Sequence, residues 1–126
     1  MVAFNFQMKF AEEVASGRKL QTIRAKARAK AGDKLQLYTG MRSPGCRKLR
    51  DAVCIGVDSV SITPSGPFFG QPGWWPKDKN LFAERDGFKS YVDMYDWFFQ
   101  TYGEEIFNGY VIMFSALEPT DEKSNG

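Results

Sequence analysis

Apolar and polar residues alternate with period two over Val2–Phe6, where valine and two phenylalanines interleave with Ala3 and Asn5, and a first short strand is predicted there. The period then lengthens. From Met8 to Ser16, residues Met8, Ala11, Val14 and Ala15 share one helical face, with Lys9, Glu12 and Glu13 outside it. Gly17 stands where that helix needs a left-handed C-terminal residue. Leu20–Arg24 reads as extended. Through Ala25–Ala31, Lys26, Arg28 and Lys30 alternate with alanine; a helix can be drawn there, but the Gly32-Asp33 turn into the next strand favours a basic loop.

Lys34–Thr39 alternates cleanly and predicts a half-buried strand, and Gly40–Lys48 predicts a loop with Ser43, Pro44 and Gly45 at its tip. Ala52–Thr63 predicts a long strand whose apolar parity changes near Ser59, the mark of a bulge. Phe68–Pro76 holds two Phe, two Trp, two Gly and two Pro, which predicts an aromatic loop and no regular element. Lys89–Tyr102 has helical spacing and stops at Gly103; its Tyr91, Met94, Tyr95 and Phe98 stripe reads as core, and Asp93 and Asp96 as a solvated face. Gly109–Ala116 predicts a closing strand. The order is strand, helix, several strands, helix, strand. It implies an α+β fold over residues 1–118, a small β-barrel with flanking helices, followed by a flexible polar tail at 119–126.

Composition narrows the chemistry. The 126 residues suit one domain with a real core. No apolar run approaches bilayer length and the N-terminus lacks a signal-peptide core, so the expectation is a soluble cytoplasmic protein with no membrane partner. Cys46 and Cys54 read as a loop thiol and a core thiol, both reduced. The chain has no histidine, which removes Ser-His-Asp and Cys-His catalysis in their usual forms. A zinc site would need two thiols and carboxylates alone, so no metal and no cofactor is implied. Any acid–base chemistry falls to Lys, Asp, Glu, Tyr or Cys.

Charge is unevenly spread. Eleven of the seventeen Lys and Arg residues lie between Arg18 and Arg50 against one acid, Asp33, for a net +10; the remaining six bases and fourteen acids sum to −8. Such a stripe attracts phosphate or another polyanion, because neutralising phosphates releases counterions. A solvated face that only maintains solubility is the competing reading. Within the stripe, Lys19 and Thr22 are three apart and would face opposite sides of an ideal strand. They converge only if Lys19 sits in the turn after the helix and the strand begins near Gln21. There a lysine whose pKa is lowered by burial could activate the hydroxyl as a nucleophile; a basic turn leading into a strand edge is the plainer alternative.

The segment Gly17, Lys19, Thr22, Arg24 resembles the Gly-x-Lys-x-x-Thr-x-Arg signature of ASCH domains, which belong to the PUA-like superfamily. The resemblance extends through Gly32-Asp33, Leu37–Arg42, Cys46–Leu49, Phe82–Phe88, Met94–Phe98 and Gly109–Phe114, in order and over nearly the whole chain. It implies a PUA-like barrel and an association with RNA. Some small ASCH proteins are amidohydrolases that deacetylate acetylated cytidine nucleosides with a Lys, a Thr nucleophile and an acid, and others are reported to be single-strand ribonucleases. By resemblance the Lys and Thr fall on Lys19 and Thr22, and the acid on Asp86 or Glu84, with Asp86 favoured by its spacing to the following Gly and Phe. The long basic loop Gly40–Arg50 and the aromatic loop depart from the smallest hydrolytic members and would suit a larger ligand.

The expected function is therefore an RNA- or modified-nucleoside-binding domain with a basic cleft, with hydrolysis through Lys19, Thr22 and an acid as its enzymatic form. Candidate ligand contacts are Arg18, Gln21, Arg24, Tyr38, Arg42, Arg47 and Lys48, which can pair with phosphate or stack. Trp74 and Trp75 stand between Gly73 and Pro76, where both indoles cannot easily point inward; one is a candidate platform for a base. A protein-interaction adaptor using the Phe68–Pro76 loop is a third reading, which the bulk charge disfavours.

Overall fold

A computed structural model describes residues 1–71 and 73–116, so the predicted tail at 119–126 lies outside the described residues. The elements run β1 (Val2–Phe6), α1 (Met8–Ala15), β2 (Gln21–Arg24), β3 (Lys34–Thr39), β4 (Arg47–Thr63), β5 (Gly66–Phe69), α2 (Lys79–Arg85), α3 (Tyr91–Tyr102) and β6 (Phe107–Phe114). The architecture is α+β: one six-stranded mixed sheet in the order β1-β3-β4-β6-β2, with β5 on β4. β1 and β3 run parallel and the other neighbours antiparallel. No helix among the described residues is long and apolar enough to cross a membrane.

The sheet does not close into a barrel. Among the described residues β1 and β2, the two ends of the ladder, are not paired. β2 is only four residues long, and a side chain occupies the seam: Arg24 Nη2 donates to Asn5 O at 2.8 Å.

β4 organises the interior. Its ladder with β6 shifts register between Cys54 and Gly56, so the parity change read near Ser59 lies about four residues earlier. Before the shift, Ala52 and Cys54 enter a core built with Phe4, Phe6, Phe10, Val14, Leu35, Leu37, Ile112 and Phe114, between α1 and β1, β3, β4 and β6. Beyond it, Val60 and Ile62 join a second core under α2 and α3, with Ile23, Trp75, Phe82, Tyr91, Met94, Phe98, Phe107 and Val111. The shift leaves Val53 and Ile55 exposed, although both are strong strand formers. Phe88 packs against both cores.

Two elements escaped the sequence reading. β5 takes Phe68 and Phe69 out of the expected loop and pairs them with Ser61 and Val60; its Pro67 is tolerable on an edge strand. α2 spans seven residues, too short to display a period, and is started by Asp78, whose carboxylate accepts from Asn80 N–H at 2.8 Å. The remaining ends lie close to expectation. Ser90 caps α3 by accepting from Asp93 N–H at 3.2 Å, and Gly103, at φ 74°, ends it. Tyr91 fastens α3 to the end of β4: its hydroxyl donates to Thr63 O at 2.8 Å and accepts from Thr63 N–H at 3.1 Å. The Tyr91, Met94, Tyr95 and Phe98 stripe faces the second core, and Asp93 and Asp96 face outward.

Candidate functional site

α1 ends at Ser16, and the Lys19 N–H returns to donate to Glu13 O at 2.9 Å, holding Lys19 in the post-helical turn. Gly17, at φ 85°, makes the turn possible. β2 begins only at Gln21, and Leu20 N–H donates to Arg85 O at 3.2 Å, which ties the start of β2 to the end of α2. Lys19 in the turn and Thr22 in the strand therefore line the same cavity. Asp86 is the C-cap residue that follows α2, with Gly87 directly after it at φ 96°. A side chain at Gly87 would be strained by that φ and would press within 3.1 Å of the Phe10 ring, so the turn delivering Asp86 requires glycine.

Lys19 and Asp86 are both buried, at 3% and 4% exposure. Lys19 Nζ donates to the Asp86 carbonyl at 2.6 Å and lies 3.3 Å from Oδ2, while Gln21 Nε2 donates to Oδ1 at 3.1 Å. The faces of Phe10 and Phe6 lie 5.0 and 5.7 Å from the ammonium. Burial pushes the Lys19 amine below its usual range, with the Asp86 charge opposing it. Burial pushes the Asp86 carboxyl up, with Lys19 and Gln21 opposing. Burial thus narrows the gap between the two groups and eases proton transfer from the amine to the carboxylate, while their mutual attraction opposes it.

Thr22 is buried beside them, but its hydroxyl is not bonded to Lys19. Its Oγ1 accepts from Arg24 Nε at 2.9 Å, and the same guanidinium reaches Asn5 O and lies about 5 Å from the Phe4 and Phe6 rings. The hydroxyl proton is thus left free for a base, while the oxygen already faces a positive donor. Asn5, Phe6, Phe10, Lys19, Thr22, Arg24 and Asp86 enclose a cavity of about 190 Å³ with Phe88, Trp97, Phe98 and Tyr102. A cavity of about 150 Å³ accepts a benzene ring, so this one suits a single substituted aromatic ring. The aromatic wall from α3 was missed by the sequence reading, because Trp97 and Tyr102 flank a stripe that served as core.

The other candidates are placed elsewhere. Glu84 is exposed and does not line the cavity. Gln21 is buried with its amide engaged by Asp86, so it cannot contact a nucleic acid as expected. Arg18 pairs with Glu13 at 2.8 Å and Lys48 with Asp51 at 2.7 Å, both on the surface. Tyr38, Arg42, Arg47 and Lys48 lie on or beside the β3–β4 hairpin and do not line the cavity. That hairpin still meets its rim, since Met41 N–H donates to Asn5 Oδ1 at 2.9 Å. Cys46 is exposed and Cys54 buried, both free.

The tryptophan pair divides. Trp75 is 6% exposed, stacks on Phe69 and donates its Nε1–H to Asp58 Oδ2 at 2.7 Å, which withdraws it as a stacking surface. Trp74 is 51% exposed and lies over Gly56, away from the cavity lining. Trp75→Phe leaves the buried Asp58 carboxylate with only the Gln71 N–H, at 3.0 Å, and is expected to cost about 1–3 kcal/mol in chemical denaturation, whereas Trp74→Ala should leave stability within about 0.5 kcal/mol.

No protein-family model matches the chain, and comparison with curated proteins and with solved structures also gives no match.

Proposed function

We propose that this chain is an ASCH-like domain of the PUA-like kind, whose six-stranded sheet is an open form of that barrel, and that it binds a modified nucleoside and hydrolyses its acyl amide. The observation that carries this reading is the convergence of Lys19, Thr22, Arg24 and Asp86 in one aromatic-walled cavity of about 190 Å³. The size and walls favour a single base over a phosphodiester. Lys19 is held by Asp86, so the deepest cation already has a counter-ion and is a poor phosphate ligand.

The chemistry starts from the buried pair. Passing a proton from Lys19 to Asp86 frees the amine, which takes the Thr22 hydroxyl proton as Oγ1 attacks the acyl carbonyl carbon. Arg24 Nε stabilises negative charge on Oγ1 as the proton leaves. The carbon–nitrogen bond then breaks, and the leaving amine takes the proton from Lys19, leaving an acyl-Thr22 ester. Water attacks that ester with Lys19 again as base. The carboxylic acid is released and Thr22 recovers its proton. Lys19 and Thr22 line one cavity without bonding each other, and substrate entry would close that approach, as is common where catalytic contacts tighten only in the complex.

The test is acetate release from acetylated cytidine by the purified chain. Turnover that saturates with nucleoside supports the proposal. Absence of turnover on every acylated nucleoside tried, with cytidine still binding, would leave a binding domain and remove the hydrolase.

A further inference from the structure

We infer that the sheet face adjoining Arg24 is a platform for the flanking nucleotides of a single-stranded RNA whose reacting base occupies the cavity. This rests on the nucleoside reading above and extends its substrate from a free nucleoside to a nucleotide within a strand. In antiparallel pairs, opposed residues share a face. Arg24 lies opposite Tyr110, Tyr110 opposite Ser59, Asn108 opposite Ser61, and Ser61 opposite Phe68. On β6 this is the parity that sends Ile112 and Phe114 into the first core; towards the start of the strand the same face emerges as a row of polar and aromatic residues. Ser59, Ser61, Phe68, Asn108 and Tyr110 line an open depression of about 470 Å³, with Ala25 at its edge. Arg24 lines the cavity, while Ala25 beside it in the chain and Tyr110 opposite it across the β2–β6 ladder line the depression, so the two spaces are neighbours along β2.

The chemistry of this face selects the occupant. Phe68 is 62% and Tyr110 38% exposed, giving two separate rings on which bases can stack. Ser59, Ser61 and Asn108 supply hydroxyl and amide groups between them, and Ser61 Oγ donates to Asn108 Oδ1 at 2.6 Å, which orients the amide. Gly70 lies against Ser59 with no room for a side chain between them. No residue lining the depression is acidic, and Lys26 and Arg28, both exposed, follow Ala25 as cations for the backbone phosphates, whereas Lys30 is paired with Asp33 at 3.3 Å. A contiguous apolar protein interface would not interleave its two rings with three small polar groups. A duplex would keep its bases stacked on one another and unavailable to either ring.

The experiment measures binding of a fluorescently labelled oligouridine of about eight nucleotides, its duplex with oligoadenine, and acetylated cytidine. The proteins are the wild-type chain, Phe68→Ala, Tyr110→Ala and Tyr110→Phe. Each alanine variant is expected to weaken single-strand affinity by about fivefold or more, Tyr110→Phe to stay near wild type, and the duplex to bind at least about tenfold more weakly. Nucleoside affinity should be unchanged in all three variants. Unchanged oligonucleotide affinity in both alanine variants, or equal affinity for strand and duplex, would overturn the platform while nucleoside binding stands. If the wild-type chain binds no oligonucleotide but binds the nucleoside, the platform alone falls; if it binds neither, the nucleoside reading falls with it.

Discussion

Thr22→Ala is expected to lower acyl-amide hydrolysis by at least about a thousandfold while the chain remains folded, because it removes the atom that bonds to the acyl carbon. The hydroxyl is small, and its one hydrogen bond comes from Arg24, which keeps Asn5 O as a second partner. The structural cost should therefore be slight. Thr22→Ser keeps the oxygen and should retain measurable turnover. Arg24→Lys retains a charge but loses the planar fork that reaches Thr22 and Asn5 together, so it should fall between serine and alanine. Full activity in Thr22→Ala would mean that water or another group attacks directly. Acetate release, read beside thermal unfolding of each variant, separates lost chemistry from lost structure.

The second large effect concerns the buried pair. Asp86→Ala leaves the Lys19 ammonium with only the residue-86 carbonyl oxygen among apolar rings, and is expected to cost about 3–5 kcal/mol. Replacing both members, as in Lys19→Met with Asp86→Leu, removes both desolvation costs and should recover most of that loss. The pH dependence has a definite sign. Burial already raises the folded-state pKa of Asp86 above its ordinary 3.8, and Lys19→Met removes the charge that opposes this. Stability from a carboxyl with a raised folded pKa is present below the unfolded value and is lost as pH rises through the folded one. Lys19→Met should thus be more stable at about pH 4 than at about pH 7, relative to wild type. A variant whose loss relative to wild type is independent of pH would show that the pair does not titrate as described.

Much of this architecture is legible in the chain because local pattern and tertiary demand agree. Val2–Phe6 and Lys34–Thr39 alternate as their burial does, and Gly17 and Gly103 sit at positive φ where helices stop. The convergence of Lys19 and Thr22 was reachable as a condition, that the lysine lie in the turn and the strand start near Gln21, and β2 does begin there. Asp86 was reachable only through resemblance, because its distance from Lys19 in the chain carries no periodic signal. The failures have physical causes. Val53 and Ile55 are apolar on a face that a register shift leaves exposed, so parity misplaced the bulge. α2 buries only Phe82 and Ala83, too few for a period to show. Gln21 looked like a surface contact because sequence cannot show that its amide satisfies a buried carboxylate. The gap between β1 and β2 depends on which groups meet across the seam, and no local pattern encodes that.

The Lys19–Thr22–Asp86 cavity is the proposed ligand site. Titration of ¹⁵N-labelled protein with acetylated cytidine, followed by amide and indole chemical shifts, tests it directly. The largest shifts are expected at Thr22, Arg24, Phe88 and the Trp97 indole, which line the cavity, with Trp74 and the Gly40–Cys46 loop little changed. Shifts confined to that loop or to Trp74, with the cavity residues silent, would contradict it.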